Sequence, residues 1–237
     1  MKALILAAGV SRRLYPYTYS TPKCLLKVGG KPIIDYQLEA IKNLNIKKII
    51  MIIGYHREIL INHVKENFPD LNFKFIINHH FFETNTAYSL YLGRFELNTD
   101  ILLMNADVVY PSDLLKKLYK CKYETVLAVD VKNCGLEEVK IVDGGNNKVV
   151  AIGKNLIESQ CLGEFIGVAK FSKNFNSYFS ESLENLIKSG GGNDYFEASI
   201  SLLLDKVDVR FLDVSEFPCL EIDFKEDLDS ARELFKS

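Results

Sequence analysis

Leu4-Ile5-Leu6-Ala7-Ala8-Gly9 is a short apolar run that stops at a glycine, and Lys48-Ile49-Ile50-Met51-Ile52-Ile53-Gly54 repeats the pattern. Continuous runs of this length suit strands buried on both faces of a parallel sheet. Between them Pro32 opens a helical pattern, since its missing N–H costs nothing in a first turn. Ile33, Tyr36, Gln37, Ala40, Ile41 and Leu44 then fall on one face. The three pieces make a βαβ unit. The alternation goes on with a helix over 56–66, a strand over 73–77, a helix over 87–95 and a strand over 101–104. A helix over 112–120 and a strand over 126–129 complete the pattern of an open parallel sheet with helices on both faces.

Beyond Asp130 the pattern changes. Val139 to Val142 and Val149 to Ile152 flank Gly144-Gly145-Asn146-Asn147, whose residues supply the positive φ of a β-hairpin turn. A strand over 165–171 precedes helices over 174–188 and 195–204, separated by Ser189-Gly190-Gly191-Gly192. Strands over 207–212 and 220–223 are expected to rejoin the sheet, and a helix over 226–235 closes the chain. No linker or repeat interrupts this, so residues 1–237 are read as one domain. Its 1–130 half is expected to bind nucleotide and its 131–237 half to bind an acceptor.

Composition narrows the function classes. A formal net charge of -2, with 48% hydrophobic and 25% charged residues, gives no basic footprint for nucleic acid and no sign of disorder. The first apolar run is too short to insert in a membrane and carries no signal-peptide pattern. The five cysteines lack both zinc-site pairing and a secreted disulfide pattern, and read as reduced, mostly buried thiols in a cytoplasmic protein. A homodimer is left open. The four histidines sit on surface segments without ligand spacing.

Four groups of residues carry chemistry. Ala7-Ala8-Gly9-Val10-Ser11-Arg12-Arg13-Leu14, with Pro16, Thr18, Pro22 and Lys23, lets backbone N–H groups approach a triphosphate while cations neutralise it. Arg13 can fork across two oxygens of a leaving pyrophosphate, and Lys23 can follow the α-phosphate as a point charge. Asp107 and Asp223, each after an apolar run, suit Mg²⁺, a hard cation completed by phosphates and water. A strand-end Asp is also an ordinary helix cap, and Asp223 could cap the last helix. Asn78, Glu83, Asn85, Thr86 and Ser89 open a helix with amides and hydroxyls that can read a base edge, or simply cap that helix. Lys154 suits the phosphate of an acceptor, while Glu164, Asp194 and Tyr195 suit a choline-like or amino head group.

The first group resembles the signature of the nucleoside-diphosphate-sugar pyrophosphorylase-like nucleotidyltransferases, A-A-G-x-G-x-R-L-x-P-x-T then P-K. It matches at Ala7, Ala8, Gly9, Arg13, Leu14, Pro16, Thr18, Pro22 and Lys23, with Ser11 where the second glycine is usual. Asn105-Ala106-Asp107, Gly54-Tyr55 and Glu221-Ile222-Asp223 extend the likeness, Asn85 to Leu90 resembles the phosphocholine cytidylyltransferase branch, and Gly153-Lys154-Asn155 and Gly163-Glu164-Phe165-Ile166-Gly167 resemble the cytidylyltransferases for phosphocholine and for phosphonates. The resemblance implies a glycosyltransferase-A-like, Rossmann-like three-layer α/β/α sandwich with a mixed, mostly parallel sheet. It implies a nucleotide held by Leu6, Ala8, Gly9, Val10, Ser11, Arg13, Lys23, Gly54, Tyr55, Asn85, Thr86, Ser89 and Asp107. Arg13, Lys23 and Asp107 would be catalytic, Mg²⁺ would sit on Asp107 and Asp223, and Lys154, Glu164, Asp194, Tyr195 and Glu221 would hold the acceptor.

The expected reaction moves CMP from CTP to a small phosphate or phosphonate monoester. A hexose-1-phosphate nucleotidyltransferase is the nearest rival. A non-catalytic binding module would be expected to have lost Arg13, Lys23 or an Asp, and all are present. A dinucleotide-dependent oxidoreductase fits less well, because Gly9-Val10-Ser11 is not the start of G-x-G-x-x-G.

Overall fold

The computed structural model describes residues 1–236. In chain order its strands are β1 (Lys2–Ala7), β2 (Lys27–Val28), β3 (Lys31–Pro32), β4 (Lys48–Ile53), β5 (Asn72–Ile77), β6 (Ile101–Asn105) and β7 (Val108–Val109). They continue with β8 (Val126–Asp130), β9 (Lys140–Asp143), β10 (Val149–Gly153), β11 (Gly163–Phe171), β12 (Arg210–Asp213) and β13 (Leu220–Glu221). The α-helices are α1 (Ile33–Asn43), α2 (Arg57–Asn67), α3 (Thr86–Leu92), α4 (Ser112–Lys120), α5 (Lys173–Lys188), α6 (Glu197–Ser201) and α7 (Lys225–Leu234).

Nine strands form one mixed sheet. The block β6-β1-β4-β5 is parallel, as the apolar runs require. Strand β11 lies antiparallel to β6 and β8, and β12 adds parallel to β8. Period-2 alternation sends Ala3 and Ile5 of β1 to one face, with Ile34, Leu38 and Ile41 of α1, Leu60 of α2 and Leu114 of α4. Leu4 and Leu6 go to the other face, with Leu90 of α3, Phe175 and Phe179 of α5 and Ile200 of α6. Helices thus cover both faces of the sheet in three layers. Asn146 and Asn147 adopt φ of 53° and 60° at the β9–β10 turn, as that hairpin demands.

Strand β11 shapes the cleft. At Gly167 φ is +71°, and a Cβ there would lie 2.5 Å from the Asn105 side-chain nitrogen, so only glycine lets β11 cross the end of β6. One edge of β11 pairs β9 at Gly163–Glu164 and then β6 at Val168–Phe171. The ladder opens between those contacts, at the carboxyl end of β6. Chain direction also reverses here, because β1 connects outward to β4 while β6 returns on its other side. That is where open α/β sheets bind ligands.

Two sequence expectations are corrected. The helix expected over 195–204 is regular only over Glu197–Ser201 and then tightens, with the Leu203 N–H donating to the Ile200 carbonyl at 2.9 Å. The last strand does not rejoin the main sheet: β13 pairs β7 in a separate antiparallel ribbon. Among the cysteines only Cys24 is fully buried; the other four are half-buried.

Candidate active site

The β7–β13 ribbon assembles the acidic group. Glu221 pairs Val108, and the Ile222 N–H donates to the Asp107 carbonyl at 3.1 Å. Two segments far apart in sequence thereby place Asp107, Glu221 and Asp223 with one carboxylate oxygen each, all within 4.8 Å of one another. Asp223 does not cap α7. Asp227 does, its Oδ2 accepting the Phe224 N–H at 2.7 Å, which leaves the Asp223 carboxylate facing the cleft. Gln37, buried on α1, supports Asp107 from behind. Its side-chain N–H₂ donates to the carbonyls of Asn105 and Val108 at 2.8 Å each, bracketing the turn that carries Asp107.

Lys23 sits among these carboxylates, with Nζ 2.7 Å from Asp107 Oδ2 and 2.7 Å from Asp223 Oδ1. Burial opposes its charge, but Asp107, Asp223 and Glu221 outweigh that and raise its pKa. Burial likewise opposes ionisation of Asp223, yet Lys23 and then Arg13 hold it below the usual carboxylate range. Glu221 is pushed well above that range by burial, then by Asp107 and Asp223. The sequence reading gave Glu221 to the acceptor; the structure sets it within the carboxylate group. Three converging oxygen donors, with Asp107 Oδ1 buried and unpartnered, fit a hard divalent cation.

The loop after β1 is seated by Leu14, which is 1% exposed and packs with Leu26, Val28, Leu228 and Ala231. Burying that side chain contributes roughly 1.5–3 kcal/mol, enough to anchor a loop whose polar residues face the cleft. Ser11 adopts φ 54°, which explains why glycine is usual there. Its carbonyl accepts from the Leu14 N–H at 3.1 Å and the Thr18 hydroxyl at 3.0 Å. A Cβ added at Gly9 would meet no atom within 4 Å, so the backbone is bare toward the cleft. Arg13 spans Glu137 at 3.3 Å and Asp223 at 3.5 Å.

These residues share one cleft of about 560 Å³, lined by Leu6, Ala8, Gly9, Ser11, Arg13, Lys23, Asn85, Thr86, Ser89, Asp107, Lys154, Glu164, Tyr195, Glu221 and Asp223. Val10, Gly54, Tyr55 and Asp194 do not line it. Val10 is buried. The Tyr55 N–H donates to the Ala8 carbonyl at 3.1 Å, and a Cβ at Gly54 would lie 2.7 Å from that same oxygen, so both back the loop from behind. Asp194 is exposed and contributes its carbonyl to the Ala87 N–H at 3.1 Å.

At the head of α3 the capping and lining roles coincide. Asn85 Oδ1 accepts the Thr86 N–H at 2.8 Å, while Asn85 and Thr86 both face the cleft. Buried Asn78 braces the segment, donating to Thr84 Oγ1 at 3.0 Å and Ser89 Oγ at 3.1 Å. Across the cleft, Lys154 Nζ lies over the Tyr195 ring at 4.6 Å. Its carbonyl is fixed by the buried Lys140, whose ammonium donates to it at 2.6 Å. Glu164 is paired to Lys132 at 2.6 Å, and Lys132 reaches Asp130 at 3.2 Å. Burial raises the Glu164 carboxyl more than Lys132 lowers it. Sequence reasoning did not single out Lys132, Asp130 or Gln37, and it gave Glu197 no separate role. The signal for Glu197 is an acid set between the core residues Phe196 and Ile200 at the start of a short helix.

A family model described as nucleotidyl transferase matches residues 2–132. The chain belongs to that family. It is 30% identical to the CTP:phosphoglutamine cytidylyltransferase of Campylobacter jejuni, across 97% of this chain and 98% of that one. It is 29% identical to the choline-phosphate cytidylyltransferase of Streptococcus pneumoniae, across 100% and 99%. A solved structure of CTP:phosphocholine cytidylyltransferase from Streptococcus pneumoniae superposes with a TM-score of 0.83 at 27% identity, covering 99% of each chain. The enzyme class is therefore nucleotidyltransferase, and the α/β fold read from the sequence is the fold of these relatives.

Proposed function

We propose that this nucleotidyltransferase moves CMP from CTP to a small phosphate or phosphonate monoester and releases pyrophosphate. The observation that carries the reading is one cleft lined by the β1 loop, the Asp107–Glu221–Asp223 carboxylates and the acceptor-side Lys154. The full-length likeness to two cytidylyltransferases supports CTP as donor.

In this reading the bare backbone at Gly9 approaches the phosphates, and Arg13 neutralises the departing pyrophosphate. Lys23 leaves its carboxylate partners for the α-phosphate. Lys154 holds the acceptor so that one of its phosphate oxygens lies in line with the α-phosphorus. A bond forms from that oxygen to the α-phosphorus as the α–β bridging bond breaks and its electron pair leaves with pyrophosphate. No protein nucleophile is needed, because a phosphate monoester is largely ionised at neutral pH. Catalysis reduces to alignment and charge stabilisation. Asp107 and Asp223, with Glu221 beside them, would hold Mg²⁺, which supplies charge neutralisation at the triphosphate.

Asn85, Thr86 and Ser89 are assigned to the base and ribose side. The 1–130 half supplies most nucleotide contacts and the 131–237 half the acceptor contacts, within one domain; Ser237 lies outside the described residues. Val10, Gly54 and Tyr55 act behind the loop. Among the described residues no helix is long and apolar enough to cross a membrane, and free cysteines throughout support a cytoplasmic enzyme. Pyrophosphate release measured with CTP, UTP, GTP, ATP and dTTP against phosphate monoesters, phosphonates and hexose 1-phosphates tests the reading. Turnover with CTP and a small monoester is expected, and turnover confined to hexose 1-phosphates refutes it.

A further inference from the structure

Glu197 opens α6 on the acceptor side of the cleft, with 4% of its surface exposed. Its Oε2 is buried without a hydrogen-bond partner. A buried carboxylate oxygen in that condition is costly unless a donor reaches it, and no side chain of the described residues supplies one. Lys154 and Asp107 are the ionised groups that act on it through space. Glu197 therefore shares one cleft with Lys154, the cation assigned to the acceptor phosphate, and with the carboxylates at the reacting centre. Its backbone is fixed from the nucleotide side as well, since the preceding Phe196 N–H donates to Thr86 Oγ1 at 3.1 Å.

The aromatic surroundings decide what kind of head group this place suits. A quaternary ammonium offers no N–H and is held by open aromatic faces. The chain has no tryptophan. Tyr195 already has the Lys154 ammonium over its ring at 4.6 Å, and Phe165 is packed edge-on against Phe196 in the core. The other aromatic side chains of the cleft are engaged too, Phe224 under the Arg13 guanidinium at 5.0 Å and Phe81 against Phe82 at 4.5 Å, so the site is poor in free aromatic faces and holds an unsatisfied carboxylate oxygen. Burial keeps the Glu197 carboxyl up at about 7, and a cation placed beside it would draw it down.

On the basis of the monoester reading above, we propose that Glu197 receives the head group of the acceptor, and that this head group is a primary ammonium carrying N–H donors rather than a trimethylammonium. Glu197 acts on specificity; it touches neither the α-phosphorus nor the leaving group. A charge-assisted contact of this kind is worth roughly 10- to 100-fold in kcat/KM.

The test compares 2-aminoethyl phosphate, 2-hydroxyethyl phosphate and phosphocholine as acceptors with CTP and Mg²⁺, in the wild type and in Glu197→Gln, a near-isosteric change. The wild type is expected to favour the ammonium acceptor about 10- to 100-fold over the other two. In Glu197→Gln that advantage collapses through a raised KM for 2-aminoethyl phosphate, while the KM for CTP stays near the wild-type value. Circular dichroism checks that the variant is folded, and the wild-type preference is a criterion independent of the variant. A wild-type preference for phosphocholine, no transfer to any of the three, or a selectivity unchanged in Glu197→Gln overturns the proposal. So does an effect confined to the KM for CTP, which would place Glu197 on the ribose side. Transfer to monoesters without ammonium preference sinks this inference alone; transfer only to hexose 1-phosphates sinks the monoester reading with it.

Discussion

Replacing Lys23 by methionine removes the one cation that touches both Asp107 and Asp223. Its side chain is 11% exposed, against 23% for Asp107 and 34% for Asp223. Breaking a buried ion pair by deleting one partner costs about 3–5 kcal/mol, because the remaining charge is left uncompensated. Partial exposure of both carboxylates screens the loss and favours the lower end, about 3 kcal/mol. For a chain of 237 residues, at roughly 2–4 °C per kcal/mol, that is a fall in Tm of about 6–12 °C. The same three carboxylates then lose the ammonium seated among them, and Arg13, at 3.5 Å from Asp223, is left as a weaker competitor for a divalent cation. Millimolar MgCl₂ should therefore raise the Tm of Lys23→Met more than that of the wild type, in which Lys23 must first be displaced. Differential scanning calorimetry at pH 7.5 with and without MgCl₂ measures both effects. Pyrophosphate release should fall about 10²- to 10³-fold. The reasoning is refuted by a variant that melts within about 2 °C of the wild type without Mg²⁺, or whose response to Mg²⁺ is no larger.

Gln37→Leu keeps the bulk of the buried side chain but strips two donors from the carbonyls of Asn105 and Val108. Each orphaned carbonyl costs about 1–3 kcal/mol, partly offset because Gln37 Oε1 is itself unpartnered, so urea unfolding should show a loss of about 2–4 kcal/mol. Since the freed turn carries Asp107, the apparent affinity for Mg²⁺ should weaken in parallel, and a stability loss with unchanged Mg²⁺ dependence would count against a supporting role. Glu197 gives the pH prediction: its folded pKa, raised by burial from the ordinary 4.5 to about 7, makes a contribution fully present below pH 4.5 and lost as pH rises through 7. At about 1.36 kcal/mol per pH unit the loss approaches about 3 kcal/mol. Glu197→Gln should therefore gain stability relative to the wild type between pH 5 and pH 8 by urea unfolding, and parallel pH dependences would refute the assigned burial.

The parallel half of the fold was legible because each of its elements reports its own environment. Leu4 to Leu6 and Ile49 to Ile53 are apolar at every position because they are buried on both faces, and the Ile33, Gln37, Ala40 and Ile41 face of α1 packs where its period points. Local pattern failed where pairing is decided at a distance. Leu220 and Glu221 look like a strand returning to the main sheet, but their partners are Val108 and Val109 in a two-residue ribbon. Leu202, Leu203 and Leu204 continue the apolar pattern of the expected helix, yet their backbone turns too tightly for a regular helix.

The site divides along the same line. The phosphate binding proposed for the β1 loop needs contiguous backbone and nearby cations, so the loop from Ala8 to Lys23 announces itself in one stretch, and Leu14 belongs to that stretch because it anchors the loop in the core. The residues proposed to meet the head group are single positions from different elements: Lys132 just after β8, Lys154 just after β10, Glu164 on β11 and Glu197 on α6. No period or spacing links them, and Glu164, singled out by its sequence context, proves to be occupied by Lys132. Glu197 differs, its Oε2 having no such partner among the described residues. Substitutions on the acceptor wall can therefore alter the monoester accepted without disturbing Ser11, Lys23 or the β7–β13 ribbon. Exchanging Glu197 and Tyr195 together should change the acceptor while the response to CTP and Mg²⁺ remains that of the parent enzyme, because none of the hydrogen bonds that seat the loop or the carboxylates passes through either side chain.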